Sequence, residues 1–180
     1  FARPFLCVVG TMAGEGMQTA GQNLCAILAM RWFTEGAGVT EIVTDRGLEV
    51  GKAKHFNLVL MGGPEANSWS ARVLGNFSAV EFEAETRRFR VGPCWFNQST
   101  HVLTMLGPWT QRGAFFGAVD GKCGSSAAHG STCVDGSITG EEDSDDSGGV
   151  HFALLSASTP LGLHIAFRTF LDDALTTNQW

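Results

Sequence analysis

The chain contains no tyrosine, although it carries 13 phenylalanines in 180 residues. That imbalance reads as phenylalanine standing at positions where tyrosine would ordinarily occur. No apolar run approaches the roughly 18 residues of a membrane-spanning helix, so no membrane span is expected. The pattern Gly-x-Ser-x-Gly is missing too: Gly136-Ser137-Ile138-Thr139-Gly140 places its serine one position early, which argues against a nucleophile elbow. No Gly-Lys-Ser/Thr follows the glycines, which excludes a Walker phosphate loop, and Gly14/Gly16 and Gly36/Gly38 lack the third glycine of a dinucleotide fingerprint. Neither Cys-x-x-Cys nor ligand spacing among His55, His101, His129, His151 and His164 supports zinc. A hydrolase or nucleotide enzyme acting alone is therefore not expected. Basic residues are also few, with Lys plus Arg 12 against Asp plus Glu 18 and a net charge of -6, which argues against nucleic acid or an anionic membrane as partner.

What is present suits one globular domain with a proper core, since 44% of the residues are hydrophobic. Phe5 to Val9 is a buried-type strand, followed by the Gly-rich loop Gly10 to Gly16 and a helix from about Met17 to Phe33 that Gly36 and Gly38 end. Val39 to Thr44 reads as a second strand and Leu48 to His55 as a short helix or turn. Phe56 to Met61 is an apolar run without polar alternation, which suits a strand covered on both faces. Gly62-Gly63-Pro64 then turns the chain, and Asn67 caps a helix to Leu74.

Beyond Asn76 the character changes. Val80 to Val91 alternates apolar and charged residues, as a half-exposed strand or hairpin does, and Trp95-Phe96, Val102 to Leu106 and Ala114 to Val119 continue as strands with antiparallel pairing. A long polar loop spans 121–149, of a length that compact domains keep for function or disorder. Val150 to Leu155 returns to an apolar strand, and Thr159-Pro160 opens a last helix with a cap and a first-turn proline. The fold expected over 1–180 is a single α/β domain: a three-layer flavodoxin-like or Rossmann-like sheet, mainly parallel strands at the chain's ends, and an antiparallel β-rich middle.

Four groups of residues are candidates for sites. The loop containing Thr11, Gly14 and Gly16 lies between a strand and a helix, where N–H groups and the helix dipole could hold the phosphate of FMN or a nucleotide. It loosely resembles the phosphate loop of flavodoxins, but it offers only Thr11 as a hydroxyl and places Glu15 where an anion would sit, so a structural turn is the favoured reading. Asp143, Asp145 and Ser147, with Gly148, fit the first half of a Ca2+ loop; the twelfth position is Leu154 rather than an acid, and a solvated acidic loop is favoured. Asn76-Phe77-Ser78 and Asn97-Gln98-Ser99 match the N-glycosylation acceptor pattern. Cys123 and Cys133 bracket a Gly/Ser-rich stretch and are read as a loop-closing disulfide, whereas Cys7 and Cys25 sit in apolar contexts and are read as small buried hydrophobes. Trp69, Trp95 and Trp109 are read as core rather than pocket lining. The chain begins at Phe1 rather than Met, which reads as a processed product or a fragment, and the sequons and cysteines favour secretion.

The runs PFLCVVGT, HFNLVLMGGPEANSWSARVL, FRVGPCWFNQSTHVLTMLGPW and GAFFGAVDG, with Asn178-Gln179-Trp180 at the end, resemble the flavodoxin-like domain that accompanies the catalytic domain of secreted prolyl-oligopeptidase-like and esterase-like α/β-hydrolases. The likeness covers most of the chain in order; the 121–149 loop departs from it. The resemblance implies an accessory, non-catalytic role beside a catalytic α/β-hydrolase domain or chain. Because the catalytic Ser, Asp and His of such enzymes belong to the hydrolase domain, no catalytic residue carries over. Two other classes stay open: a small FMN- or nucleotide-binding protein, and a secreted calcium-binding interaction module.

Overall fold

The structure, a computed structural model, describes residues 4–36, 38–75, 80–109 and 150–177. Strand β1 (Phe5–Val9) is apolar at every position and wholly buried, which requires cover on both faces. Its alternation sorts the interior into two cores. Leu6 and Val8 face one cluster, and Phe5, Cys7 and Val9 face the other.

Helix α1 (Glu15–Gly36) and helix α4 (Pro160–Thr177) cover the second face, where Leu24, Leu28, Leu163, Phe167 and Phe170 meet Val59, Met61 and Leu155. The first face is covered by the short helices α2 (Val50–Ala53) and α3 (Ser68–Leu74) and by a small sheet. Thr159 opens α4 as expected, its hydroxyl accepting from Gly162 N at 3.0 Å. Asn67 caps α3, its side chain accepting from Trp69 N and Ser70 N.

The main sheet runs β2-β1-β3-β8-β7, with β2 (Glu41–Thr44), β3 (Asn57–Met61), β8 (Val150–Ser156) and β7 (Leu103–Trp109). β1 pairs in parallel with β2 and β3, and β3 in parallel with β8, while β7 closes the edge antiparallel to β8. Strand β2 lies on one side of β1 and β3 on the other, so the two successive right-handed crossovers put α1 and α2 on opposite faces. The chain thereby reverses its winding between β1 and β3, the position at which open α/β sheets place their ligand sites.

The middle of the chain forms a separate antiparallel sheet, β4 (Val80–Glu83), β5 (Arg88–Val91) and β6 (Cys94–Asn97). Its inner face is a ladder of Phe82, Phe89 and Phe96, with ring centroids 5.8 and 5.3 Å apart, packed into the first core. An α/β architecture with mostly parallel strands in the main sheet and a separate antiparallel sheet is thus observed, but Val102 to Leu106, read with the antiparallel middle, supplies the edge strand of the main sheet, and Ala114 to Val119 lies outside the described residues. Details differ at the ends: α1 begins two residues earlier than the periodicity suggests, and β2 starts only at Glu41. Among the described residues no helix is long and apolar enough to cross a membrane.

Cys7 and Cys25 are buried, but as a disulfide that bolts α1 to β1, with Cα atoms 5.8 Å apart. Local composition shows each cysteine in an apolar setting; only the helix packing on the strand brings the two together. The bond closes a loop of 18 residues, for which chain entropy predicts about 3 kcal/mol of stabilisation. The double substitution Cys7→Ala/Cys25→Ala is expected to lower urea-unfolding stability by about that amount, and the bond should survive reductant until denaturant is added, because both residues are 0% exposed. An unchanged midpoint in the variant would count against this.

Candidate functional site at the carboxyl edge of the sheet

Three loops meet at the carboxyl ends of β1, β2 and β3. Gly10 ends β1 and donates to Met61 O at 3.2 Å, while Met12 N donates to Ala66 O at 3.0 Å, so the β1 and β3 loops touch through their backbones. A Cβ at Gly10 would overlap the Ala66 carbonyl, which restricts the position to glycine. Gly62 turns the β3 loop with φ 104 and donates to Leu155 O at 2.8 Å, tying the same loop to β8.

Asp45, just past β2, is 3% exposed and joins the loops. Its Oδ1 accepts from Thr11 N at 3.1 Å and from Thr11 Oγ1 at 2.7 Å, and its Oδ2 accepts from Ser68 N at 2.8 Å at the start of α3. Burial alone would push this carboxyl up. The opposing hydrogen bonds from Ser68, Thr11 and Arg46 outweigh burial and hold it below the usual aspartate range.

Asn67 is 0% exposed and satisfies its amide completely. Its Nδ2 donates to Val8 O and Met61 O, each at 3.1 Å, and its Oδ1 accepts from Trp69 N at 3.0 Å and Ser70 N at 3.4 Å. The residue that caps the helix therefore also fastens that helix to two strands. Ser70 Oγ adds a 2.7 Å bond to Gly62 O, and Trp69 Nε1 reaches Leu48 O at 3.3 Å.

At the β8 side, Ser156 is 3% exposed and lies with the Glu65 carboxylate around the bare Cα of Gly63, where a Cβ would sit 2.7 and 2.9 Å from the two Glu65 oxygens. Although Glu65 as a residue is exposed, its carboxylate turns back over the loop. Burial of that end pushes its carboxyl up, against a hydrogen bond from its own N–H and the pull of Arg87.

The predicted phosphate-loop residues separate in this arrangement. Thr11 faces Asp45, whereas Gly14 and Gly16 are exposed at the outer start of α1, where Gly14 O accepts from Met17 N and Gln18 N. Thr11's hydroxyl and N–H both serve a carboxylate, so an anion placed there would compete with Asp45 and face its charge. Asn97 is exposed on β6. Asn76, Cys123, Cys133, Asp143, Asp145 and Ser147 lie outside the described residues, as does the 121–149 loop. Among the described residues no group of three His, Cys, Asp or Glu could hold a metal ion. Trp69 is core, 3% exposed, but Trp95 is 49% exposed, against the reading that placed it inside.

Sequence reasoning passed over Asp45, Glu65 and Ser156. The available signal for Asp45 was its position, an acid directly after a strand at the edge where loops converge.

Asp45 also sets a pH dependence. Its folded pKa is depressed, so its stabilisation is fully present above the unfolded value of about 3.9 and is lost as pH falls through the folded value. Asp45→Asn replaces one acceptor oxygen by an amide NH2, which donates, and is expected to cost roughly 2 kcal/mol at neutral pH. Urea midpoints measured from neutral pH into the acid range should fall less steeply for the variant than for the wild type; parallel curves would refute the assignment.

Neither a family model, nor a curated protein, nor a solved structure matches this chain.

Proposed function

We propose that this chain is an accessory, non-catalytic domain of a secreted serine hydrolase, with a flavodoxin-like arrangement of its main sheet, contributing packing or substrate access to a catalytic α/β-hydrolase domain or chain. The observation that carries this reading is how the polar groups of the carboxyl edge are occupied. In open α/β sheets this edge is where ligands bind, yet Asp45, Thr11, Asn67 and Ser70 here hydrogen-bond one another's loops. A buried carboxylate held below its ordinary pKa is a weak base, and the Thr11 and Ser68 groups that donate to it are occupied.

The helical layer supports the same reading. Met30 (71% exposed) and Phe33 (67%) on α1, and Leu161 (71%) and Ile165 (51%) on α4, leave apolar surface outside a core that is already filled. Such surface suits burial against another domain. The sequence motifs quoted above name that domain's class, and the buried Cys7–Cys25 bond fits an oxidising compartment. The same edge disfavours flavin binding, since Asp45 and Glu15 put negative charge where a phosphate would need positive.

The isolated chain, treated with a fluorophosphonate probe and with p-nitrophenyl acetate, is expected to show neither covalent labelling nor turnover. Labelling of any serine would overturn the proposal, and Ser156, beside the Glu65 carboxylate, is the position to map first. Added FMN should keep its free fluorescence; quenching would transfer the reading to flavin binding.

A further inference from the structure

The outer face of the small sheet holds an arrangement that the carboxyl edge does not explain. Alternation along the strands puts Phe82, Phe89 and Phe96 inside and Glu81, Glu83, Arg88, Arg90, Trp95 and Asn97 outside. The charges on this face are paired: Arg90 meets Glu81 at 2.7 Å, and Arg88 meets Glu83 at 3.5 Å. Both guanidinium groups also lie near the indole of Trp95, at 5.8 and 5.7 Å from the ring centroid. The result is a large aromatic ring, 49% exposed, held in place on a polar face that has no core of its own to offer it.

Asn97 stands two residues further along β6, on the same face, at a separation of roughly 6.6 Å along the strand. Its Oδ1 is taken, accepting from Ser99 N at 2.9 Å and Ser99 Oγ at 2.8 Å. Its Nδ2 has no hydrogen-bond partner among the described residues and belongs to an exposed side chain. Asn97-Gln98-Ser99 is an acceptor pattern for N-linked sugar.

We infer that Asn97 is N-glycosylated and that Trp95 is the seat of the glycan, the apolar C–H face of the first N-acetylglucosamine units resting on the exposed indole while Arg88, Arg90 and their paired glutamates meet the sugar hydroxyls. The modification needs a polyprenyl-diphosphate-linked oligosaccharide. The Asn97 amide nitrogen bonds to the anomeric carbon of its terminal N-acetylglucosamine and gives up one proton, while the bond from that carbon to the diphosphate oxygen breaks and its electron pair leaves with the diphosphate. A sugar seated there also covers β6, which among the described residues is an edge strand of its sheet, and blocks pairing with another chain.

The inference rests on the secreted reading, so the test supplies the secretion route and asks only about the site. The chain is expressed behind a secretion leader in a eukaryotic host, in an Asn76→Gln background so that the second sequon is silent. Peptide mapping is expected to find sugar on Asn97 and none after Ser99→Ala. Enzymatic removal of the glycan should lower the melting temperature by about 2–4 °C, by markedly less in Trp95→Ala, and by an intermediate amount in Trp95→Phe. Secreted protein bare at Asn97, or the same shift in wild type and Trp95→Ala, overturns the inference. Neither result touches the serine-probe experiment, which tests the accessory-domain reading on its own.

Discussion

The carboxylate of Asp45 is the joint on which this fold's working edge depends. Strands β1, β2 and β3 are parallel, so each delivers its loop to the same end of the sheet, and nothing in strand pairing holds those loops to one another. Asp45 does so by accepting from the loop after β1 and from the first turn of α3 at once. Asn67 repeats the device one layer deeper, linking two strand carbonyls to two helix N–H groups. Loops fixed in this way are pre-ordered, and the N–H groups of Thr11, Met12 and Ser68 are taken.

That second consequence separates this edge from a phosphate-binding one. A loop between a strand and a helix binds anions when its N–H groups are unoccupied and its surroundings are neutral or positive. Here a carboxylate sits where the anion would go, and the first turn of α1 adds Glu15. The same backbone geometry therefore performs structural work. Apolar side chains on α1 and α4, and the aromatic and charged outer face of the small sheet, also face outward.

Much of the frame was legible from the chain itself because it rests on local pattern. The unbroken apolar runs at β1 and β3 announced strands covered on both faces, and the structure fills both with separate cores. Asn67 and Thr159 announced helix starts, and both side chains make the bonds expected of caps. The charged and apolar alternation from Val80 onward announced an antiparallel element, and its inner residues are the phenylalanine ladder.

Element types, their approximate bounds and the α/β class follow from local sequence, because hydrophobic period and capping chemistry act within a few residues. Tertiary structure alone decided the pairings: Cys7 with Cys25, Thr11 with Asp45, Ser156 beside Glu65, and Trp95 on an outer rather than an inner face. These contacts join residues that different strands and helices bring together. Their energies depend on distance and burial in the folded chain, which no local pattern of residues encodes.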